Sequence, residues 1–297
     1  MMVLGFPENT AQAAALAAAL GCAHACVDIH RFPDGESRLT LPPQLPAHTL
    51  LFRSLHDPNA KLTELLIAAG GARALGAQTL TLVAPYLCYM RQDMAFAPGQ
   101  PVSQRIIGQL LAAHFDRVVT IDPHLHRVAT LAEAVPARYP VCLSAAPLLG
   151  RFLAGRLPGN ALLLGPDEES EQWVSKVAQP GGFAYAVARK QRFGDADVRV
   201  TLPAVDVSGR DVVLVDDVIS SGHTMMEAAR ALHARGAGTV SAIASHGLFA
   251  AGARDGMRAA GIRAVWVTDA IPQSEDAGLA LLPVAGLLAD AIRLSAG

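Results

Sequence analysis

The sequence predicts an α/β protein of two tandem domains, each a mainly parallel sheet flanked by helices. Three observations carry that prediction. Short apolar runs alternate along the chain with Ala/Leu-rich stretches of helical character. The runs read as strands buried on both faces, with crossover helices between them. And the pattern occurs twice: residues 118–123 and residues 212–217 both read as a buried strand ending in acid, in a chain of 297 residues and 52% hydrophobic content that can build two cores.

The elements follow in order. Val3–Phe6 reads as a short strand, Asn9 or Thr10 as the cap of a helix over Ala11–Leu20. That Ala/Leu run invites comparison with a secretory signal, but no Lys or Arg precedes it and Glu8 interrupts the approach, so a folded helix is the expectation. A helix over Leu62–Leu75, a strand over Thr79–Ala84, a helix over Ser103–His114 and a strand over Arg117–Ile121 complete the first half. A boundary is expected near residues 144–148, giving domains of residues 1–146 and 147–297. The second domain opens with a helix over Leu148–Leu157 and continues with strands at Ala161–Leu164, Asp211–Val215, Val240–Ala244 and Ala264–Val267. Met225–Arg235 is its main helix, and the last helix is able to pack back on the first domain. Arg189–Val207 is polar and lacks a helical period, as a mobile loop or extended hairpin would.

Composition excludes several classes. The 24 Lys+Arg and 26 Asp+Glu give a net charge of -2, against a globally basic nucleic-acid binder. Apolar stretches are interrupted before they reach the ~20 residues of a membrane span. The 4 cysteines (Cys22, Cys26, Cys88, Cys142) match neither a disulfide framework nor a zinc pattern, and are expected to be reduced, mostly buried thiols of a cytoplasmic protein.

Ligands of open α/β sheets bind at the carboxyl ends of strands, so polar residues directly after apolar runs are the first candidates. The strongest is residues 212–224, where two acids, Asp216 and Asp217, are expected to end a strand. A short loop then leads through Ser220, Ser221, Gly222, His223 and Thr224 into a helix N-terminus. Backbone amides there, with the helix dipole and the hydroxyls, suit a phosphate monoester, and the carboxylates suit vicinal sugar hydroxyls. Arg91-Gln92-Asp93 offers a fixed cation with two polar partners, suited to a nucleotide; alone it also reads as a surface turn. Lys190 and Arg192 alternate on an extended segment, which suits clamping a phosphoryl group as well as a solvated charge pair. His124, after a buried strand, reads in isolation as structural more readily than as a ligand.

Together these segments resemble the ribose-phosphate diphosphokinases. Residues 212–224 resemble the ribose 5-phosphate loop of the phosphoribosyltransferase fold. Phe32-Pro33-Asp34-Gly35-Glu36 resembles the family's FPDGE segment. The stretch from Pro85 through Arg91-Gln92-Asp93 to Ser103 resembles its PYxxYxRQD stretch and the Pro/Gly-containing run after it. Asp122-Pro123-His124, Pro166-Asp167, Lys190 with Arg192, Ser245–Phe249 and Val267–Pro272 follow in the family's order.

The resemblance implies ATP contacts from Phe32, Asp34 and Glu36 of one subunit and Arg91, Gln92 and Asp93 of its neighbour, hence a homo-oligomer. It implies Mg²⁺ near His124, with Asp167 by a second metal position; ribose 5-phosphate at Asp216, Asp217 and residues 220–224; and catalytic cations at Lys190 and Arg192. The implied reaction moves the β,γ-diphosphoryl group of ATP to the 1-hydroxyl of ribose 5-phosphate, leaving AMP. Three departures stand out: Met94 where the family has a second basic residue, Ser220 where it has an acid, and His223 where it has a small residue. His126 is a second candidate beside His124. Two rivals remain at this point, a phosphoribosyltransferase that consumes the diphosphate and a non-catalytic regulatory paralogue.

Overall fold

The computed structural model describes residues 1–125, 127–192 and 198–294. It divides into two compact units. One comprises Met1–Leu143, Ala270–Pro272 and Pro283–Gly297, the other Ser144–Asp269 and Gln273–Leu282.

The first unit begins β1 (Met2–Gly5), α1 (Thr10–Leu20), β2 (Ala23–Cys26), β3 (Asp28–Arg31), β4 (Ser37–Thr40) and β5 (His48–Phe52). It continues with α2 (Pro58–Ala74), β6 (Thr79–Val83), α3 (Ser103–His114), β7 (Arg117–Ile121), α4 (Leu131–Ala134) and β8 (Tyr139–Leu143). Six strands form one sheet in the order β2-β1-β5-β6-β7-β8, every neighbouring pair parallel. The hairpin β3–β4 stands outside that sheet and was not foreseen from the sequence, because its short strands carry few apolar residues. Leu4, Phe6, Leu51, Leu65, Leu80, Leu82 and Val118 form the core, and Ile29 and Leu39 of the hairpin pack against it.

The second unit holds α5 (Ala146–Ala154), β9 (Leu162–Gly165), α6 (Glu171–Ala178), β10 (Ala184–Val187), β11 (Arg189–Arg192) and β12 (Val198–Thr201). β13 (Val212–Ile219), α7 (His223–Ala234), β14 (Val240–Gly247), α8 (Ala253–Ala259), β15 (Ile262–Thr268) and β16 (Leu279–Leu282) follow. Its sheet order is β10-β9-β13-β14-β15-β16, again all parallel, over a core of Leu162, Leu214, Met225, Leu232, Ala242 and Val267. The final helix, α9 (Ala285–Leu294), belongs to the first unit and packs on α1. Its Arg293 donates to the carbonyl of Ala19.

Several sequence expectations need correction. α2 starts at Pro58, four residues before the expected Leu62, since a proline fits the first turn, where its missing N–H costs nothing. Asn9 precedes α1 but does not cap it with its side chain. Its Oδ1 instead accepts the Ser54 backbone N–H at 3.0 Å. β13 does not stop at the acids; it continues through Asp216 and Asp217 to Ile219, and β14 likewise continues to Gly247. Only Cys88 is buried, whereas Cys26 and Cys142 are exposed and Cys22 is half-buried. These thiols lie on short edge strands or at turns, where burial on one face leaves the other open. Within the expected mobile loop or extended hairpin over residues 189–207, β11 and β12 pair antiparallel, and residues 193–197 lie outside the described residues. No helix among the described residues is long and apolar enough to cross a membrane.

Candidate active site

In the second unit, β9 and β13 are neighbours whose paired register runs to Leu164↔Leu214. The chain that leaves β9 as Pro166-Asp167 therefore emerges beside Asp216 and Asp217. Asp217 is 3% exposed, and its backbone N–H donates to Asp216 Oδ1 at 2.9 Å. Asp216 is half-buried. Desolvation, then the negative charges of Asp217 and Asp167, push its carboxyl well above the usual range. This edge concentrates negative charge that a cation or hydroxyl donors would relieve.

The loop after β13 is pinned from below. Ile219 O accepts Leu248 N at 2.8 Å and Ser220 O accepts Ala250 N at 3.0 Å. Gly222 then turns the chain with φ +70°, and a Cβ there would stand 3.0 Å from Met257 Cγ and Sδ. Only glycine meets both demands at no cost. His223 opens α7, its N–H donating to Ser221 Oγ at 3.4 Å, with Ser221 and His223 exposed and Thr224 half-buried. The first turn of a helix presents N–H groups that its own carbonyls do not satisfy, so the loop has the form of an oxyanion cradle beside two carboxylates.

Neighbouring strand ends contribute rigidity that the sequence did not advertise. Thr268 Oγ1 donates to Ser245 O at 2.5 Å, and Gln273 Nε2 donates to Gly247 O at 3.0 Å. Hydroxyls and amides that act on backbone carry no motif signature. Asp167 begins a short turn in which Ser170 Oγ donates to the Asp167 carbonyl at 2.5 Å. Lys190 and Arg192 lie on β11, in register with Val200 and Val198 of β12.

In the first unit, Phe32–Glu36 is the turn between β3 and β4. Phe32 N donates to Glu36 O at 2.8 Å and Gly35 N to Phe32 O at 2.9 Å; Glu36 N donates to Asp34 Oδ1 at 3.1 Å. Gly35 at φ +94° supplies the left-handed residue of a three-residue hairpin loop. Phe32 is 38% exposed, and His30 meets its ring edge-on, 4.7 Å between centroids. Arg91 is exposed. Its two neighbours are held: Ser103 donates to Gln92 Oε1, and Arg127 Nη1 donates to Asp93 Oδ1 at 2.7 Å. Asp122 adopts φ +38° at the end of β7, and its carbonyl accepts the His124 N–H at 2.9 Å. Strain of this kind collects at functional sites. His126 lies outside the described residues.

No group of three or more His, Cys, Asp or Glu suited to holding a metal occurs among the described residues. The donor chemistry nevertheless fits Mg²⁺ in the form it usually takes, bound through one or two carboxylates and completed by substrate phosphates and water. Asp167, Asp216 and Asp217 provide hard oxygen donors, with Asp216 raised by burial first and then by the charges of the other two. The His124 imidazole is the weaker fit to a hard cation.

A phosphate-cradle loop after the third strand of a six-stranded parallel sheet, in a chain that builds such a sheet twice, defines a protein of the phosphoribosyltransferase-fold class. Residues 1–114 match the N-terminal domain of ribose phosphate pyrophosphokinase, and residues 171–295 match the phosphoribosyl synthetase-associated domain. The chain is 38% identical over 275 residues to a ribose-phosphate pyrophosphokinase of Methanopyrus kandleri, covering 92% of this chain and 93% of that one. It is 32% identical over 293 residues to that of Methanosarcina acetivorans, covering 99% of each. The crystal structure of phosphoribosylpyrophosphate synthetase from Mycobacterium smegmatis superposes with a TM-score of 0.84 at 26% identity, over 100% of this chain and 99% of that one. The chain belongs to the ribose-phosphate pyrophosphokinase family.

Proposed function

We propose that this protein is a ribose-phosphate diphosphokinase, making phosphoribosyl diphosphate and AMP from ATP and ribose 5-phosphate for nucleotide biosynthesis. The single observation that carries the reading is the loop from Ile219 to Thr224 set beside Asp216 and Asp217. The amides at the start of α7 and the hydroxyls of Ser220, Ser221 and Thr224 hold the 5-phosphate. Gly222 lets the backbone approach it, and His223 donates a further hydrogen bond. Asp216 and Asp217 accept hydrogen bonds from the ribose 2- and 3-hydroxyls, which fixes the ring and aims the 1-hydroxyl.

The 1-hydroxyl oxygen attacks the β-phosphorus of ATP, and the bond from that phosphorus to the α,β-bridging oxygen breaks. AMP departs with that oxygen, the hydroxyl proton goes to solvent, and the diphosphoryl group transfers intact. Little covalent work falls to the protein in such a transfer; alignment and charge stabilisation dominate. Lys190 and Arg192, on the β11–β12 hairpin, stabilise the transferring group and exclude water. His124 together with ATP oxygens would hold one Mg²⁺ and Asp167 would serve a second metal position, and the metal would supply neutralisation of phosphate charge. Arg91 meets the ATP, while the internal bonds of Gln92 and Asp93 keep their loop in place for it. Phe32, Asp34 and Glu36, at the tip of an exposed hairpin, contact the adenine of a neighbouring subunit, which makes the active form a homo-oligomer, and the protein is assigned to the cytoplasm.

The family assignment disfavours both rivals, the phosphoribosyltransferase and the regulatory paralogue. The deciding experiment is a coupled assay for AMP release from ATP, with and without ribose 5-phosphate and with and without inorganic phosphate. Ribose 5-phosphate-dependent AMP release is the expected result. Diphosphate release that depends on an added nucleobase, or no turnover under any Mg²⁺ or phosphate condition, would replace the reading with one of its rivals.

A further inference from the structure

The hairpin β3–β4 pairs only with itself, and an isolated two-stranded hairpin is marginal in water. Ile29 and Leu39 anchor its far end on the core. Its near end, where the strands meet Phe32–Glu36, has a different anchor. Arg31 and Ser37 are the last register pair before the turn, and both donate to the same oxygen of one α2 carboxylate. Ser37 Oγ reaches Glu64 Oε1 at 3.0 Å, and Arg31 reaches it through Nε at 3.3 Å and Nη2 at 3.2 Å.

Glu64 is itself held from the core side. Its side chain is 2% exposed, and Oε2 accepts Arg53 Nη2 at 2.5 Å, from a guanidinium 1% exposed. Arg53 is fixed in turn by Glu8 Oε1 at 2.8 Å, by the Lys61 carbonyl at 3.1 Å and by stacking on Phe6 at 4.0 Å. Burial disfavours the Glu64 charge, but the bonds from Arg53, Ser37 and Arg31 outweigh it and hold the carboxyl below its usual range. One oxygen thus serves the core and the other serves the neck of the turn.

We propose that Glu64 is a positioning residue for the nucleotide base, clamping both strands of the β3–β4 hairpin at Arg31 and Ser37 so that Phe32, Asp34 and Glu36 are presented in one geometry. The proposal rests on the reading that this turn meets adenine. A base contact made by a loosely held turn spends part of its binding free energy on ordering the turn, and a clamped turn does not. Loss of the clamp therefore acts on ATP affinity and leaves the ribose 5-phosphate site alone.

Glu64→Gln would also strip Arg53 of its partner inside the core, so the test uses the hairpin side, where Arg31 is 65% exposed. Arg31→Ala combined with Ser37→Ala, Arg31→Lys and Phe32→Ala are compared with the parent for KM of each substrate, kcat, Tm and amide hydrogen exchange across residues 32–36. The expected result for the double variant is about a tenfold rise in KM for ATP, about the effect of one lost charge-assisted hydrogen bond. KM for ribose 5-phosphate stays at the parental value, Tm falls by a few degrees because Glu64 Oε1 loses its hairpin donors, exchange across the turn accelerates, and Arg31→Lys retains most of the ATP affinity. Phe32→Ala raises KM for ATP with no change in exchange at the neck. A double variant with parental KM for ATP, alongside a Phe32→Ala variant that has lost affinity, overturns the clamp and leaves the adenine reading standing. A Phe32→Ala variant with parental KM for ATP overturns the adenine reading and the clamp's role with it.

Discussion

Asp217 donates its backbone N–H to the carboxylate of Asp216, its immediate neighbour on β13, at 2.9 Å. This bond ties the carboxylate of one acid to the backbone of the other near the carboxyl end of β13. Asp216 bears the cost: burial and the charges of Asp217 and Asp167 raise its carboxyl well above the ordinary 3.8.

That shift has a sign. Between 3.8 and the raised value the folded state binds more protons than the unfolded chain, so stability falls as pH rises through that window and stays lower above it. Asp216→Asn removes the charge and keeps the shape. Thermal melts from pH 4 to pH 8 should show the variant losing less stability than the parent on the way up. Parallel curves would mean that Asp216 carries no burden.

Asp217→Ala should weaken ribose 5-phosphate far more than ATP. Hydrogen bonds to charged groups contribute about 1.5–3 kcal/mol, or roughly 10–100-fold in KM. Initial-rate kinetics with each substrate varied separately reads this directly, and an equal loss for both substrates would contradict the assignment.

Gly222→Ala meets two obstacles, the φ of +70° and Met257 at 3.0 Å. A destabilisation of about 1–2 kcal/mol is expected from the backbone alone, together with loss of ribose 5-phosphate binding. Chemical denaturation and calorimetric titration of ribose 5-phosphate check the two effects separately. A Gly222→Ala protein that binds ribose 5-phosphate normally would show that the loop's close approach is dispensable.

Lys190→Ala and Arg192→Ala should each lower kcat by at least ~100-fold, about 2.7 kcal/mol, with modest change in KM. Near-normal kcat in both would remove the hairpin cations from the transfer.

The thiols give an independent check on the fold. Burial raises the Cys88 thiol to about 12, while Cys26 and Cys142 are exposed. Since the thiolate is the reactive form, alkylation at pH 8 followed by mass spectrometry should mark Cys26 and Cys142 first and Cys88 only on unfolding. Early labelling of Cys88 would contradict its burial in the core of the first unit.

Much of this was legible in the sequence. Ser103–His114 and Arg117–Ile121 were foreseen to the residue, because the first keeps a helical period and the second is a short, mainly apolar run too brief for a helix. The end of β13 was not, since carboxylates at 216 and 217 look like a strand's end until a neighbouring strand continues the ladder past them. The cradle was visible because Gly222 and its flanking hydroxyls form a local signal. Glu64 was invisible: its partners Arg31, Ser37 and Arg53 lie 33, 27 and 11 residues away, and within its own helix it is one polar residue among several. Long-range pairing of buried charge leaves no period to read.

The most direct measurement is ³¹P NMR of the purified protein with ATP, ribose 5-phosphate and Mg²⁺. A diphosphoryl transfer predicts AMP and a sugar 1-diphosphate appearing in equal amounts as both substrates disappear. The appearance of ADP with a sugar 1-phosphate, or an unchanged ATP spectrum, would contradict it.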